Sequence, residues 1–331
     1  MNAIDLHAHV VLEAGFGQAG RFGPELAVDA NGVPFFRIGE YVMKPMPYRG
    51  SLFMDIDKRL RAMDRDGIDV QLLSPNPLTM FHGIEVADAV RFCRVHNDAM
   101  AELVRAHPTR FAGCATLPMQ DIDAALRELV RCRRDLGLVA VHLGTDLGYP
   151  LDDPRLDDFY RTLVQFDMPL FLHPASTDGV GAPRDPRLGR FDLGILFGYT
   201  FDETIAVVEL VLGGVTQRHP HLDMCISHGG GAIAFLVEKF ELAVGTRPWG
   251  PEHLRDGGLR DHLRMLWYDS HMDSPSALAT LIDVVGTDHM VFGTNYGGWD
   301  SGGAHARDPF TLSLTPNAER LLRHDPTKVA T

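Results

Sequence analysis

No apolar run in this 331-residue chain approaches the roughly 20 residues a membrane-spanning helix requires, so a membrane anchor is not expected. Basic clusters are missing too. The 31 Lys and Arg residues are outnumbered by 44 Asp and Glu, and the net charge of -13 is spread over many short stretches. Without a Lys/Arg-rich run there is no footprint for a phosphate backbone, and nucleic acid is not expected as a partner. Cysteine is scarce: Cys93, Cys114, Cys132 and Cys225 are widely spaced and match neither a CxxC metal pattern nor a disulfide framework. Buried, reduced thiols and a cytoplasmic location are the expectation. The opening MNAIDLHAHVV carries no charged leader and reads directly into a strand, so no signal peptide is expected. Internal repeats and low-complexity tracts are also lacking.

What is present is ordinary globular material, 45% hydrophobic and 23% charged, long enough to bury a large core. Short apolar runs alternate with amphipathic segments. Strands are expected near Ala3–Val10, Asp69–Ser74, Phe111–Leu117, Leu138–Leu143, Pro169–His173, Leu222–Ser227, Leu266–Asp269 and Met290–Thr294. Between them, Met54–Asp66, Val86–Ala106, Ile122–Leu136, Leu156–Gln165, Asp202–Arg218, Ala232–Val244 and Ser274–Val285 have helical period. Eight strand–helix repeats are the number that closes a parallel barrel. The fold expected is thus an α/β (β/α)8 TIM barrel forming one domain over residues 1–331. A small β insertion is expected at about 13–51, with a short strand pair in VPFFRIGEYVM. A Gly/Pro-rich loop, Pro174–Tyr199, follows the fifth strand.

The chemistry concentrates at strand ends. In Asp5-Leu6-His7-Ala8-His9, residues two apart on a strand point to one side, so His7 and His9 can offer two imidazoles to one cation. His173 ends the fifth strand in MPLFLHPAS and His228 the sixth in MCISHGGG, which puts four histidines on one rim of a barrel. A lone strand-end histidine is more often structural. Four converging on the rim where barrels build their active sites favour a metal-dependent enzyme.

These motifs carry a resemblance. DLHAH, TLPMQD at Thr116–Asp121, LFLHP, SHGGGA and FGTNYGGW fall in the order found in the amidohydrolase superfamily, and the chain is similar to its aminocarboxymuconate-semialdehyde decarboxylase branch over nearly its whole length. The resemblance implies His7, His9 and His173 as metal ligands and His228 as a general acid/base. It implies a divalent metal, zinc first and manganese next. At the end of the eighth strand similar proteins carry an acidic ligand, whereas this chain has Asn295 in Gly293-Thr294-Asn295-Tyr296. An amide can coordinate through oxygen but is no base at neutral pH. Three accounts stand open: a natural variant relying on His228, an engineered Asp→Asn replacement, or a rearranged site using Asp269, Asp273 or Asp300.

For a substrate carboxylate, the resemblance points to Arg37 in PFFRIGEY, with Tyr41 where that branch often has a further arginine; a solvated surface arginine is the alternative. Arg247 and Lys239 match basic residues that reach a neighbouring subunit's pocket, implying a homodimer or higher homo-oligomer, although a plain helix-face charge suits Lys239 better. His82, Phe81 and Trp299 are pocket-lining candidates, equally explained by packing, and Asp5 is assigned no role. The reaction expected is non-oxidative decarboxylation of a small aromatic or muconate-type carboxylic acid. The alternatives are a hydrolase or hydratase of a ring-cleavage product, using water activated by the metal, and an inactive binding protein.

Overall fold

The computed structural model describes residues 3–175, 186–272, 274–298 and 305–323. Strand β1 is Ala3–Val10. The insertion after it holds β2 (Glu25–Val28), β3 (Pro34–Ile38) and β4 (Tyr41–Met43), and the chain continues through β5 (Ile68–Pro75), β6 (Phe111–Ala115), β7 (Ala140–Gly144), β8 (Leu170–His173), β9 (Met224–Ile226), β10 (Trp267–Asp269) and β11 (Met290–Val291). Eight of these, β1 and β5 to β11, lie side by side in chain order and pair in parallel. The ring closes beyond β11: Leu6 N–H donates to Phe292 O at 2.9 Å, and His9 N–H to Tyr296 O at 3.1 Å. The (β/α)8 expectation holds.

Helices α1 (Ile56–Asp66), α2 (Val86–Ala106), α3 (Ile122–Arg131), α4 (Asp157–Phe166), α5 (Thr200–Leu212), α6 (Val215–Arg218), α7 (Ile233–Thr246), α8 (Gly258–Leu263), α9 (Pro275–Val285), α10 (Pro309–Ser313) and α11 (Thr315–Leu322) complete the chain. Their starts are written locally. Asp55, Asp121 and Ser274 each accept a backbone N–H from the first turn of α1, α3 and α9. The expected Asp202–Arg218 helix is split into α5 and α6 at Gly213-Gly214, where Gly214 takes φ +77°. A left-handed residue cannot continue the helix. The insertion forms a three-stranded antiparallel sheet instead of a strand pair, because Glu25–Val28 adds to β3. That strand is half-exposed and only four residues long, too short for alternation to stand out.

Inside the barrel, all eight strands contribute to one apolar cluster; Leu6, Val70, Cys114, Phe171, Trp267 and Val291 belong to it, and Leu321 of α11 packs against its floor. The larger core lies between strands and helices. All four cysteines are buried and unbridged. No described helix is long and apolar enough to cross a membrane.

One buried polar knot ties the closing seam. Asp5, fully buried, accepts from Thr294 Oγ1 at 2.7 Å, Thr294 N at 3.1 Å, His7 N at 3.1 Å and Gln71 Nε2 at 2.9 Å. Gln71 in turn accepts from Arg59 Nη1 at 2.9 Å, and Arg59 also donates to His9 O. Burial pushes the Asp5 carboxyl up to about 6, opposed by these donors. Asp5→Ala leaves a hydroxyl, an amide and two backbone N–H groups without acceptors, so it should destabilise the fold by about 3 kcal/mol or more. Urea unfolding checks this; a loss under about 1 kcal/mol would show the knot to be dispensable.

Candidate active site

The barrel's C-terminal rim gathers histidines. Along β1, the three steps from Asp5 to Ala8 match the two from Gln71 to Leu73 on β5, which is a bulge. Strict alternation would put Asp5 on the same face as His7 and His9. The bulge turns Asp5 into the seam while His7 and His9 stay above the interior cluster.

His7 Nε2 and His9 Nε2 lie 3.1 Å apart, and the His173 ring sits 5.0 Å from His7 and 4.8 Å from His9, centroid to centroid. One ligand atom from each of the three falls within 4.8 Å of the others. Each ring is held by its other nitrogen. His7 Nδ1 lies 2.7 Å from Asp269 Oδ2, His9 Nδ1 is 2.9 Å from Ser74 Oγ and 3.1 Å from Pro75 O, and His173 Nδ1 is 2.8 Å from Pro174 O. His173 Nε2 is buried with no partner among the described residues. Rings pinned at Nδ1 with Nε2 atoms converging are what a cation needs, because the outer partner fixes tautomer and direction. Burial, reinforced by the neighbouring imidazoles, holds His9 and His173 well below the usual imidazole range, so both present a neutral lone pair. The set fits a divalent metal ion.

Packing enforces this arrangement. A Cβ on Gly293 would meet His7 Cβ at 2.7 Å and Asp269 Cβ at 3.1 Å, so only glycine lets the closing segment pass beside that pair. Burial raises the Asp269 carboxyl, with His228 and His271 pulling it back, and its Oδ1 accepts from His271 N at 3.1 Å.

His228 stands beside the trio, its ring 5.0 Å from both His7 and His173. Its Nδ1 is 2.5 Å from Glu203 Oε1, which also accepts from Ser227 Oγ at 2.5 Å. His271 lies 5.5 Å from His228 and 5.7 Å from His7, while His142 faces the other side, 5.8 Å from His173 and 6.0 Å from His9. Burial drives His142 down to about 3 and His82 to about 4, so both are neutral at physiological pH.

The other sequence candidates divide. Asn295 is buried at the closing seam with φ +49°, a conformation asparagine tolerates better than most residues. Its side chain packs on Gly298, where an added Cβ would come within 2.8 Å. Tyr41 is half-buried on β4 and adds to the upward push that burial gives Tyr199, whose ring is 6.0 Å from His173. Phe81 is buried in the apolar cluster beneath the insertion, its ring 4.7 Å from Phe92. His82 accepts from Gly144 N at 3.0 Å, bracing the end of β7.

The partners of Arg37 lie within the insertion. Its guanidinium pairs with Glu25 across the insertion sheet at 2.7 Å and donates to Gly39 O and Arg21 O, because the two residues are register partners on β2 and β3. Arg247 is exposed just past the C-terminus of α7, and Lys239 is exposed midway along it. Barrel helices run back from the rim, and the 14 residues of α7 cover about 20 Å, so Arg247 sits far from its own pocket. Trp299, Asp273 and Asp300 lie outside the described residues.

Sequence reasoning missed Glu203, Ser74, His142 and His271. Glu203 sits inside a helical pattern, where an acidic residue reads as surface, and only its full burial sets it apart. His271, in YDSH just beyond β10, was the legible one, since it too follows a strand end.

The chain is similar to three known proteins. The chain is 31% identical over 243 residues to the 2-amino-3-carboxymuconate-6-semialdehyde decarboxylase of Dictyostelium discoideum, covering 73% of this chain and 66% of that protein. It is 27% identical over 317 residues to the gamma-resorcylate decarboxylase of Rhizobium sp. (strain MTP-10005), covering 90% and 91%. The fold matches a dihydroxybenzoic acid decarboxylase from Polaromonas sp. JS666, solved with bound manganese and 2-nitroresorcinol, at a TM-score of 0.74 and 23% identity over 98% of this chain and 97% of that one. The amidohydrolase family model matches residues 4–323, and the chain belongs to that family.

Proposed function

We propose that this chain is one barrel domain acting as a metal-dependent, non-oxidative decarboxylase of a small aromatic or muconate-type carboxylic acid. The observation that carries the reading is the convergence of His7, His9 and His173, each pinned at Nδ1, beside the carboxylate-held imidazole of His228. His7, His9 and His173 would hold the ion, with the Asn295 amide oxygen a fourth donor. A divalent ion there would supply positive charge that favours binding of a carboxylate-bearing substrate. Three imidazoles favour zinc over manganese in affinity, although the Polaromonas relative carries manganese. The likeness to decarboxylases of dihydroxybenzoates and of a muconate semialdehyde supports the substrate class.

His228 hands its Nε2 proton to the carbon that bears the carboxylate. The carbon–carbon bond then breaks, its electron pair stays with the ring, CO2 leaves, and His228 regains a proton from solvent. Neutral His142 and half-buried Tyr199, whose rings are 5.8 and 6.0 Å from His173, would border the bound acid. The test is turnover of 2,6-dihydroxybenzoate by metal-loaded protein in deuterated, 18O-labelled water. Decarboxylation predicts CO2 with one deuterium at the vacated carbon. Label from 18O water in the organic product, without CO2, would make the enzyme a hydrolase or hydratase.

Asn295 carries no charge, so Asn295→Asp adds an anion to the rim. Metal affinity should rise at least tenfold by titration, while kcat should move less than tenfold because His228 carries the proton. A rise in kcat of a hundredfold or more would instead mark Asn295 as a disabling replacement.

A homodimer fits the surface. Phe235, Leu242 and Trp249, on and just beyond α7, are 85%, 68% and 56% exposed, and Phe197, just before α5, and Phe201, in its first turn, form a second apolar stripe. Only in such an assembly could Arg247 reach a pocket, that of the partner copy. Phe235→Glu with Leu242→Glu should shift the sedimentation coefficient from dimer to monomer; an unchanged value would place the interface elsewhere. Four unpaired thiols suit a cytoplasmic location.

A further inference from the structure

The carboxylate behind His228 comes from an unexpected place. Ser227 and His228 follow β9, but Glu203 lies in the first turn of α5, which precedes that strand in the chain. His228, Gly229, Gly230 and Gly231 all take positive φ, from 46° to 75°, so the backbone coils through four left-handed residues. A Cβ on Gly231 would strike Thr200 O and come within 2.7 Å of Thr204 Oγ1. Helix α5 therefore docks directly onto the turn. Thr204 Oγ1 accepts from Ala232 N at 2.8 Å, locking the contact one helical position beyond Glu203.

That docking delivers a fully buried carboxylate to the back of the imidazole. Glu203 Oε1 takes two hydrogen bonds, from His228 and Ser227, while Oε2 has no partner among the described residues. A lone buried carboxylate is costly unless it is used. Packing alone could be served by leucine or glutamine at that place.

We infer that Glu203 is a positioning residue: by accepting the Nδ1 proton of His228 it leaves Nε2 as the nitrogen facing the substrate, and it stabilises the imidazolium formed when His228 is reprotonated. The inference rests on the proposed role of His228 as proton carrier. It assigns the Gly231–Thr204 contact the task of setting the Glu203–His228 distance. Ser227 would then be a second donor without a catalytic share.

The test is a double-mutant cycle on metal-loaded protein with 2,6-dihydroxybenzoate as probe. Glu203→Gln should lower kcat by about 10²-fold, with KM and metal content changed less than threefold. In a His228→Asn background the same change should cost less than threefold, because the residue acts through the imidazole. Ser227→Ala should stay within threefold of the parent, and Gly231→Ala should follow Glu203→Gln.

Equal losses from Glu203→Gln in both backgrounds would overturn the inference and leave a structural role. Should Glu203→Gln fail to fold, nitrogen-15 NMR of the zinc-loaded parent decides: neutral His228 protonated at Nδ1 supports the inference, protonation at Nε2 overturns it. An unaffected kcat in His228→Asn alone would sink the decarboxylase mechanism instead, so the two failures are separable.

Discussion

His173→Ala should lose its metal. Removing the outer partner of a ligating histidine typically weakens binding about 10–100-fold, so deleting the ligand itself should exceed about 100-fold, or more than about 2.7 kcal/mol. The reason is geometric. His173 closes the triangle with His7 and His9, and its Nε2 is buried with no partner among the described residues. Equilibrium dialysis with elemental analysis measures this directly. Thermal unfolding gives an independent reading: zinc should raise the Tm of the parent, since a ligand bound only to the native state stabilises it, and should leave the variant unmoved. His7→Ala should behave alike. Full occupancy in either variant would remove that residue from the ligand set.

His228→Asn should lower kcat about 10²–10⁴-fold at unchanged metal content, the usual range for removing a positioned proton donor. Asparagine keeps a polar group and similar bulk but cannot carry a proton. The ring lies 5.0 Å from His7 and His173 without being one of the trio, so proton transfer and metal binding should separate in this variant. Rapid CO2 release with kcat within tenfold of the parent would mean that another group protonates the carbon, with His271, 5.5 Å from His228 and outside the trio, a candidate.

The barrel was legible because its strands are short apolar runs broken by Gly and Pro and its helices carry a clear 3.6-residue period. HxH on β1 and the histidines ending β8 and leading out of β9 were legible because side chains alternate along a strand with period 2 and the parallel strands of a barrel end on one rim. Three things were not. The β1 bulge depends on register with β5, a long-range property, so Asp5 could not be placed in the seam. Glu203 meets His228 only through a close approach of α5 to the Gly229–Gly231 turn, which no local pattern encodes. Arg37 looked available for a carboxylate because cross-strand pairing with Glu25 required β2, a strand too short to read. Sequence reasoning thus found groups projecting from single elements and missed those created where two elements touch.

The central claim is that imidazoles from β1 and β8 share one cation. X-ray absorption at the zinc edge of the metal-loaded protein addresses it most directly. The account predicts imidazole scattering from three rings, with nitrogen or oxygen neighbours at about 2.0–2.1 Å. A first shell of sulfur, or of oxygen with no imidazole signal, would contradict it.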